Sequence, residues 1–196
     1  MTRPPSFSFL PGQTIRLFLE ARERDYSLAC GREAPTLLLC IRRVQAGLLT
    51  GYLASAPRGT ALTFRGPRGY FAFRPSERPA VFVATGTGVA PFASMARSGV
   101  SGFTLLHGVR TPEDLYYQDL FREQASLYIP CLSGPIPAHG GAPGIFHGRV
   151  TDYLESELRA GSYDFYLCGN EKMIRDATHL ADDRFPGSRV YTEIFF

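Results

Sequence analysis

No stretch of this chain approaches the roughly 20 consecutive apolar residues that cross a bilayer, and its amino-terminal MTRPPSFSF has no apolar signal core, so a cytoplasmic protein without a membrane span is expected. Nor is there a run of five basic residues. The arginines are scattered, which leaves nucleic-acid binding weakly supported. The net charge of +3 suits phosphorylated cofactors or an acidic redox partner equally well, because complementary charge speeds encounter. Cys30, Cys40, Cys131 and Cys168 lack the close spacing of iron–sulfur or structural zinc sites; they read as reduced thiols, and any metal centre must sit on another protein. His107, His139, His147 and His179 form no pair at metal-ligand spacing, so no metal site is expected. No serine, histidine and acid arrangement resembles a nucleophilic triad, which argues against hydrolysis. Internal repeats are absent too.

What is present is an ordinary globular composition, 44% hydrophobic and 20% charged, with 20 Gly and 15 Pro to make turns. Two rhythms divide it. Residues 1–76 give short apolar-alternating runs, predicting antiparallel strands at Phe7 to Leu10, Thr14 to Leu19, Arg24 to Ala29, Thr36 to Arg43, Ala61 to Arg65 and Tyr70 to Phe73 in a small β-barrel or sandwich. Residues 77–196 alternate apolar strands with helical segments. Strands are expected at Ala80 to Ala84, Phe103 to Val109, Leu127 to Leu132, Phe165 to Cys168 and Arg189 to Ile194, and helices near 91–98, 112–124, 149–160 and 171–184. Thr111 reads as the N-cap of the second helix, ahead of Pro112. Such alternation implies an α/β doubly wound parallel sheet. The joint is Arg74 to Pro79, and the Gly- and Pro-rich stretch 134–148 is the one long loop.

Residues Val81 to Pro91 read VFVATGTGVAP: a buried strand, then Thr85-Gly86-Thr87-Gly88, then a helix that Pro91 can open. Glycines there let the backbone approach a pyrophosphate, which free N–H groups at a helix start then bind. As a generic pattern it reads equally as a tight strand-to-helix turn. Pro91, however, replaces the third glycine of the usual dinucleotide fingerprint, and TGTGxAP resembles the nicotinamide loop of the ferredoxin-NADP reductase family. Other segments resemble that family in the same order. They are Pro11-Gly12-Gln13, Arg24-Asp25-Tyr26-Ser27 (its RxYS), Gly47 to Leu53 (its GxxS/TxxL turn), Gly66 to Phe71, Gly148 to Leu154, Phe165 to Gly169 and Glu193 to Phe196.

The resemblance implies an FAD-dependent NAD(P)H reductase. A flavin domain over 1–76 and a nicotinamide domain over 77–196 would pass electrons to an iron–sulfur, haem or other acceptor. It implies that Arg24 pairs with a flavin phosphate, Tyr26 packs on the isoalloxazine and Ser27 reaches its N5. Gly47 and Thr50 would meet the pyrophosphate, a site that favours FAD over FMN. Thr85, Gly86, Thr87, Gly88 and Pro91 would form the nicotinamide phosphate loop. Cys168 and Gly169 would lie against the nicotinamide, Glu193 would handle a proton, and Phe195 or Phe196 would cover the second flavin face. Each has a plainer reading: a surface arginine, a buried tyrosine, a helix cap by Thr50, a core cysteine, an edge glutamate, aromatics that close the sheet. Ser133-Gly134-Pro135 lacks the arginine that NADPH enzymes of this type place after the serine, and Asp114 resembles NADH users. NADH is therefore preferred, with Arg110 as a fallback phosphate ligand. Relatives carry further strand before the PGQ segment, so an open barrel edge covered by a partner, a second copy or a local rearrangement is expected. Two rival functions remain: a flavin reductase that releases its product, and a non-catalytic subunit that keeps the fold.

Overall fold

A computed structural model describes residues 1–135 and 144–194. In the amino-terminal half, β1 (Thr14–Leu19) pairs antiparallel with β2 (Arg22–Ser27) on one side and β3 (Thr63–Arg68) on the other. Alternation explains β1. Ile15 and Leu17 enter a core with Phe7, Phe9, Leu28, Leu37 and Leu49, while Arg16 on the opposite face pairs with Glu23 (2.6 Å) and Asp25 (2.7 Å) of β2. Leu49 comes from α1 (Leu48–Ser55), which closes this core.

Three expected strands are not regular ladders. Residues 7–10 bury Phe7 and Phe9, but Phe7 N–H donates to Pro4 O (3.0 Å) and Leu10 N–H to Gln13 Oε1 (2.8 Å), so neither is free for a ladder. Residues 70–73 serve the seam instead: Phe71 packs edge-on against Phe92 and Tyr166 of the second half. Residues 36–43 make only isolated bridges, Thr36 to Thr2 and Leu39 to Leu28. Their backbone is met by the first residues of the chain, with Leu37 N–H donating to Met1 O (2.8 Å) and Arg3 N–H to Pro35 O (3.0 Å). Residues 1–3 thus pair with the start of that segment, while β2 and β3 are the outer strands of the three-stranded sheet.

The second half is a parallel sheet of β4 (Ala80–Thr85), β5 (Thr104–Val109), β6 (Leu127–Leu132), β7 (Phe146–His147), β8 (Asp164–Gly169) and β9 (Arg189–Ile194), in the order β7-β6-β5-β4-β8-β9. Helices α2 (Ala90–Arg97) and α3 (Gln118–Gln124) cover one face over Phe82, Phe103 and Leu105. The other face, with Val81, Val83 and Leu106, is covered by α4 (Val150–Ser156) and α5 (Glu171–Arg184). Strand order reverses between β4 and β8, and the crevice outside the carboxyl ends there is where such sheets bind ligands.

The helix expected over 112–124 is broken into a 3₁₀ turn, Pro112–Asp114, and α3. Tyr117 sits between them in the left-handed region (φ 61°), its ring under the Arg97 guanidinium at 4.6 Å, and Leu115 is drawn into a small cluster with Val109 and Leu132. Thr111 makes no side-chain cap bond. The linker is pinned to β8: Tyr166 Oη accepts from Arg74 N–H (3.0 Å), and Ser76 Oγ donates to Asp164 Oδ2 (2.5 Å).

Candidate functional site

The carboxyl ends of β4, β5, β6 and β8 face β2 and the 40–50 segment across a cleft of about 970 Å³. On the β2 side it is lined by Arg24, Tyr26 and Ser27, with Gly47 and Thr50 from the start of α1. Ser27 is the sharpest feature. Its hydroxyl is buried and has no hydrogen-bond partner among the described residues. Leaving such a group unsatisfied costs about 1–3 kcal/mol, so its place on a cleft wall calls for a polar ligand atom. Next to it Tyr26 is half-buried, and burial pushes its phenol up from the ordinary range. Arg24 donates to Glu23 O (2.8 Å) and stays at the mouth.

Thr50 is engaged within its own turn. Its Oγ1 accepts from Val44 N–H (3.1 Å) and donates to Gly47 O (3.2 Å), the capping use that was the plainer reading. The N–H groups opening α1 are therefore the donors that suit an anion.

On the facing wall Thr85, Gly86 and Thr87 line the cleft, followed by a 3₁₀ turn, Gly86–Val89, and by Pro91 in the first turn of α2. Gly88 and Pro91 lie behind this surface, where Gly88 lets the turn close on β8: a Cβ there would stand 2.3 Å from Cys168 O. Thr85 Oγ1 accepts from Asn170 N–H (3.0 Å) and Nδ2 (3.1 Å), tying the two loops at the reversal point. Gly169 permits this, because its φ is 145° and a Cβ would meet Thr85 Oγ1 at 2.0 Å.

Cys168 does not reach the cleft surface. It is fully buried with Ala84, Val89, Phe92 and Tyr166. Burial, and then Glu193, push its thiol well above the usual range, so it stays protonated. Glu193 is its register partner on β9, and burial followed by the nearby Asp25 carboxylate raises its own acid. Glu193 is partly buried, and its neighbour Ile194 lines the cleft. Arg110 and Asp114 line the end of β5. Phe195 and Phe196 lie outside the described residues.

The cleft also includes Arg149, Thr151, Asn170 and Lys172, which sequence reasoning did not single out. The segment holding Arg149 was legible as a motif; its nearness to Ser133 follows from β7 lying beside β6. Among the described residues no group of three His, Cys, Asp or Glu is placed to hold a metal ion, and no helix is long and apolar enough to cross a membrane.

Residues 82–179 match the family model of the oxidoreductase NAD-binding domain, and residues 2–73 that of the oxidoreductase FAD-binding domain. Ferredoxin--NADP reductase B of Sorangium cellulosum is 32% identical over 210 residues, covering 96% of this chain and 86% of that protein. The toluate 1,2-dioxygenase electron transfer component of Pseudomonas putida is 31% identical over 181 residues, covering 85% of this chain and 52% of that protein. Among solved structures, the Amycolatopsis cytochrome P450 reductase GcoB superposes with a TM-score of 0.81 at 27% identity, covering 96% of this chain and 62% of that one. The chain spans about half the length of the first curated relatives it matches, at 54% and 52%.

Proposed function

Since this chain belongs to the ferredoxin–NADP reductase family of FAD- and NAD(P)H-dependent oxidoreductases, we propose that it carries electrons from NAD(P)H through FAD to a protein acceptor. Residues 1–76 hold FAD and residues 77–196 the nicotinamide dinucleotide. The observation that carries this reading is the buried, partnerless Ser27 hydroxyl, facing the Thr85–Thr87 turn across one cleft.

The residues present fit the two groups. Arg24 and the first N–H groups of α1 hold the FAD pyrophosphate, Tyr26 supplies an apolar face for the ring, and Ser27 donates a hydrogen bond to the ring nitrogen at the reacting edge. The backbone of Gly86 and Thr87 holds the pyrophosphate of the second cofactor. Bound flavin supplies the redox chemistry, accepting two electrons from the nicotinamide and releasing them onward. The Cys168 thiol acts as packing beneath Gly169, which fixes the floor for the nicotinamide. Glu193, whose raised acid keeps a proton into a higher pH range, is the proton reservoir behind Ile194.

The acceptor is an iron–sulfur or haem protein with an acidic surface. This is supported by eleven arginines against four acidic residues over 1–76. The cytoplasm, where NAD(P)H is supplied, is the proposed location.

Purified protein is expected to be yellow and to bleach anaerobically with NADH or NADPH, and Ser27→Ala to slow the bleaching about 10²-fold, as loss of one aligned donor does. Colourless protein that takes up no added FAD would overturn the reading. Flavin that washes out on desalting and is turned over when added back would instead favour a flavin reductase.

A further inference from the structure

One wholly buried polar side chain has no part in the electron path. His107 of β5 pairs with Ala84 of β4 in the parallel register, and β5 packs against the 3₁₀ turn, Gly86–Val89, that follows β4 on the cleft wall. Phe121 of α3 closes on the ring edge-on, 6.3 Å between centroids. The two ring nitrogens differ in their surroundings. Nδ1 lies 3.2 Å from Tyr128 Oη on β6, whereas Nε2 makes no hydrogen bond among the described residues. Buried polar atoms are nearly always paired, so an unpaired nitrogen behind a phosphate-binding turn calls for a reason.

We propose that His107 is a positioning residue for the dinucleotide turn: its Nε2–H donates to the Gly86 carbonyl when a pyrophosphate is held, and this aims the Thr87 N–H at the phosphate. The inference rests on the reading that the Gly86–Val89 turn takes the pyrophosphate of the nicotinamide coenzyme. His107 itself touches neither cofactor.

The surroundings of the ring fix where its hydrogen sits. Burial keeps the imidazole neutral, so one nitrogen carries a hydrogen and the other is bare. Burial also pushes the Tyr128 phenol up, which keeps its O–H a donor; a bare Nδ1 accepts it, and the hydrogen falls to Nε2. The Gly86 backbone raises the basicity of the ring, as a carbonyl oxygen does and an N–H does not, so Gly86 turns its oxygen inward. The opposite tautomer would set a bare Nε2 against that oxygen. Helical geometry agrees: in a helical turn the carbonyls point toward its carboxyl end and the N–H groups toward its start, here the side lined by Gly86 and Thr87 on the cleft. The Gly86–Thr87 peptide is trans and planar, so an oxygen held inward by His107 holds the Thr87 N–H outward. Hydrogen bonds in series polarise one another. Tyr128 O–H to Nδ1, Nε2–H to Gly86 O and Thr87 N–H to phosphate make such a series, running from the far side of β5 to the cleft.

Two measurements on the purified flavoprotein test this, both with ADP-ribose, which carries the pyrophosphate without the nicotinamide. In protein labelled with nitrogen-15 histidine at neutral pH, the His107 signals are expected to show hydrogen on Nε2 and none on Nδ1, and the Nε2 signal to move when ADP-ribose is added. In calorimetry, His107→Leu is expected to bind ADP-ribose at least about tenfold more weakly. His107→Gln should recover most of that loss, because its amide nitrogen stands near the place of Nε2 and keeps a donor there. Hydrogen on Nδ1 in the complex, or equal affinity of His107→Leu and the unaltered protein, would overturn the positioning role and leave the turn as the pyrophosphate site. His107→Gln binding no better than His107→Leu would also overturn it, making the ring a packing group. The nitrogen measurement needs no substitution, so it decides the matter even where His107→Leu does not fold. Unaltered protein that takes up no ADP-ribose would sink the reading of the turn itself.

Discussion

His107 lies on β5 behind the dinucleotide turn, wholly buried. Its Nδ1 meets Tyr128 Oη at 3.2 Å, and its Nε2 has no hydrogen-bond partner among the described residues. Burial depresses its pKa to about 4, so the folded ring is neutral. An unfolded histidine titrates near 6.5. The folded value is the lower one, so the neutral ring's contribution is fully present above 6.5 and is lost as pH falls from there toward 4. At about 1.4 kcal/mol per pH unit the loss amounts to about 3 kcal/mol. Glu193 works in the opposite direction. Its raised acid favours the folded state below the ordinary carboxylate range, and that contribution disappears as pH rises through the raised value. Urea unfolding of the unaltered protein should therefore show stability falling between pH 6.5 and 4.5, and His107→Gln should flatten most of that slope. An unchanged slope in the variant would mean that His107 is solvated in the fold.

The elements differ in how far local sequence decides them. β6 and α5 fall where the sequence predicts, because an apolar run of strand length and a 14-residue stretch opened by Asn170 each satisfy themselves locally. Asn170 Oδ1 accepts from Met173 N–H (2.8 Å), an N-cap written in the chain. Segment 36–43 has the alternation of a strand but meets its neighbours only at isolated bridges, Thr36 to Thr2 and Leu39 to Leu28, and no local rule reveals that. At the break before α3 the Tyr117 ring meets Arg97 from another helix, and the place of Arg149 on the cleft follows from a two-residue strand too short to announce itself. Many of the residues that line the cleft were legible because RxYS lies together on one strand and TGTGxAP is local turn chemistry. The Thr85–Asn170 tie and the burial of Cys168 depend on strands far apart in sequence meeting at the reversal point. Gly88 belongs to that second kind. Gly88→Ala should force the turn off β8, destabilising the fold by about 2 kcal/mol as overpacking does and weakening NAD(P)H binding at least about tenfold. Bound FAD should be retained, because the residues proposed to hold it lie in the other half, which matches the FAD-binding domain. Thermal unfolding, coenzyme titration and the flavin absorbance of the same preparation measure the three effects.

Across the whole molecule the charge is divided as the work is. Residues 1–76 hold eleven basic and four acidic residues, whereas residues 77–196 hold ten basic and fourteen acidic ones. The halves are locked by Tyr166 on Arg74 and by Asp164 on Ser76, so the two charge fields keep a fixed relation to the cleft between them. An acidic acceptor is then drawn to the flavin half and repelled by the other. Beside the cleft mouth that half exposes Val44 and Leu48 next to Arg42 and Arg43, an apolar centre with a cationic rim of the kind interfaces use. Attraction of this kind acts over a screening length of about 30 Å at 0.01 M salt and about 8 Å at 0.15 M. The second-order rate of reduction of an acidic iron–sulfur protein should accordingly fall about tenfold or more between those conditions, while reduction of a neutral quinone stays nearly constant. Arg43→Glu should lower the protein-acceptor rate and its salt dependence together, and Arg159→Glu, on the acidic half, should leave both in place. If the two substitutions act alike in stopped-flow measurements, the acceptor does not dock on the flavin half, and the charge division serves solubility alone.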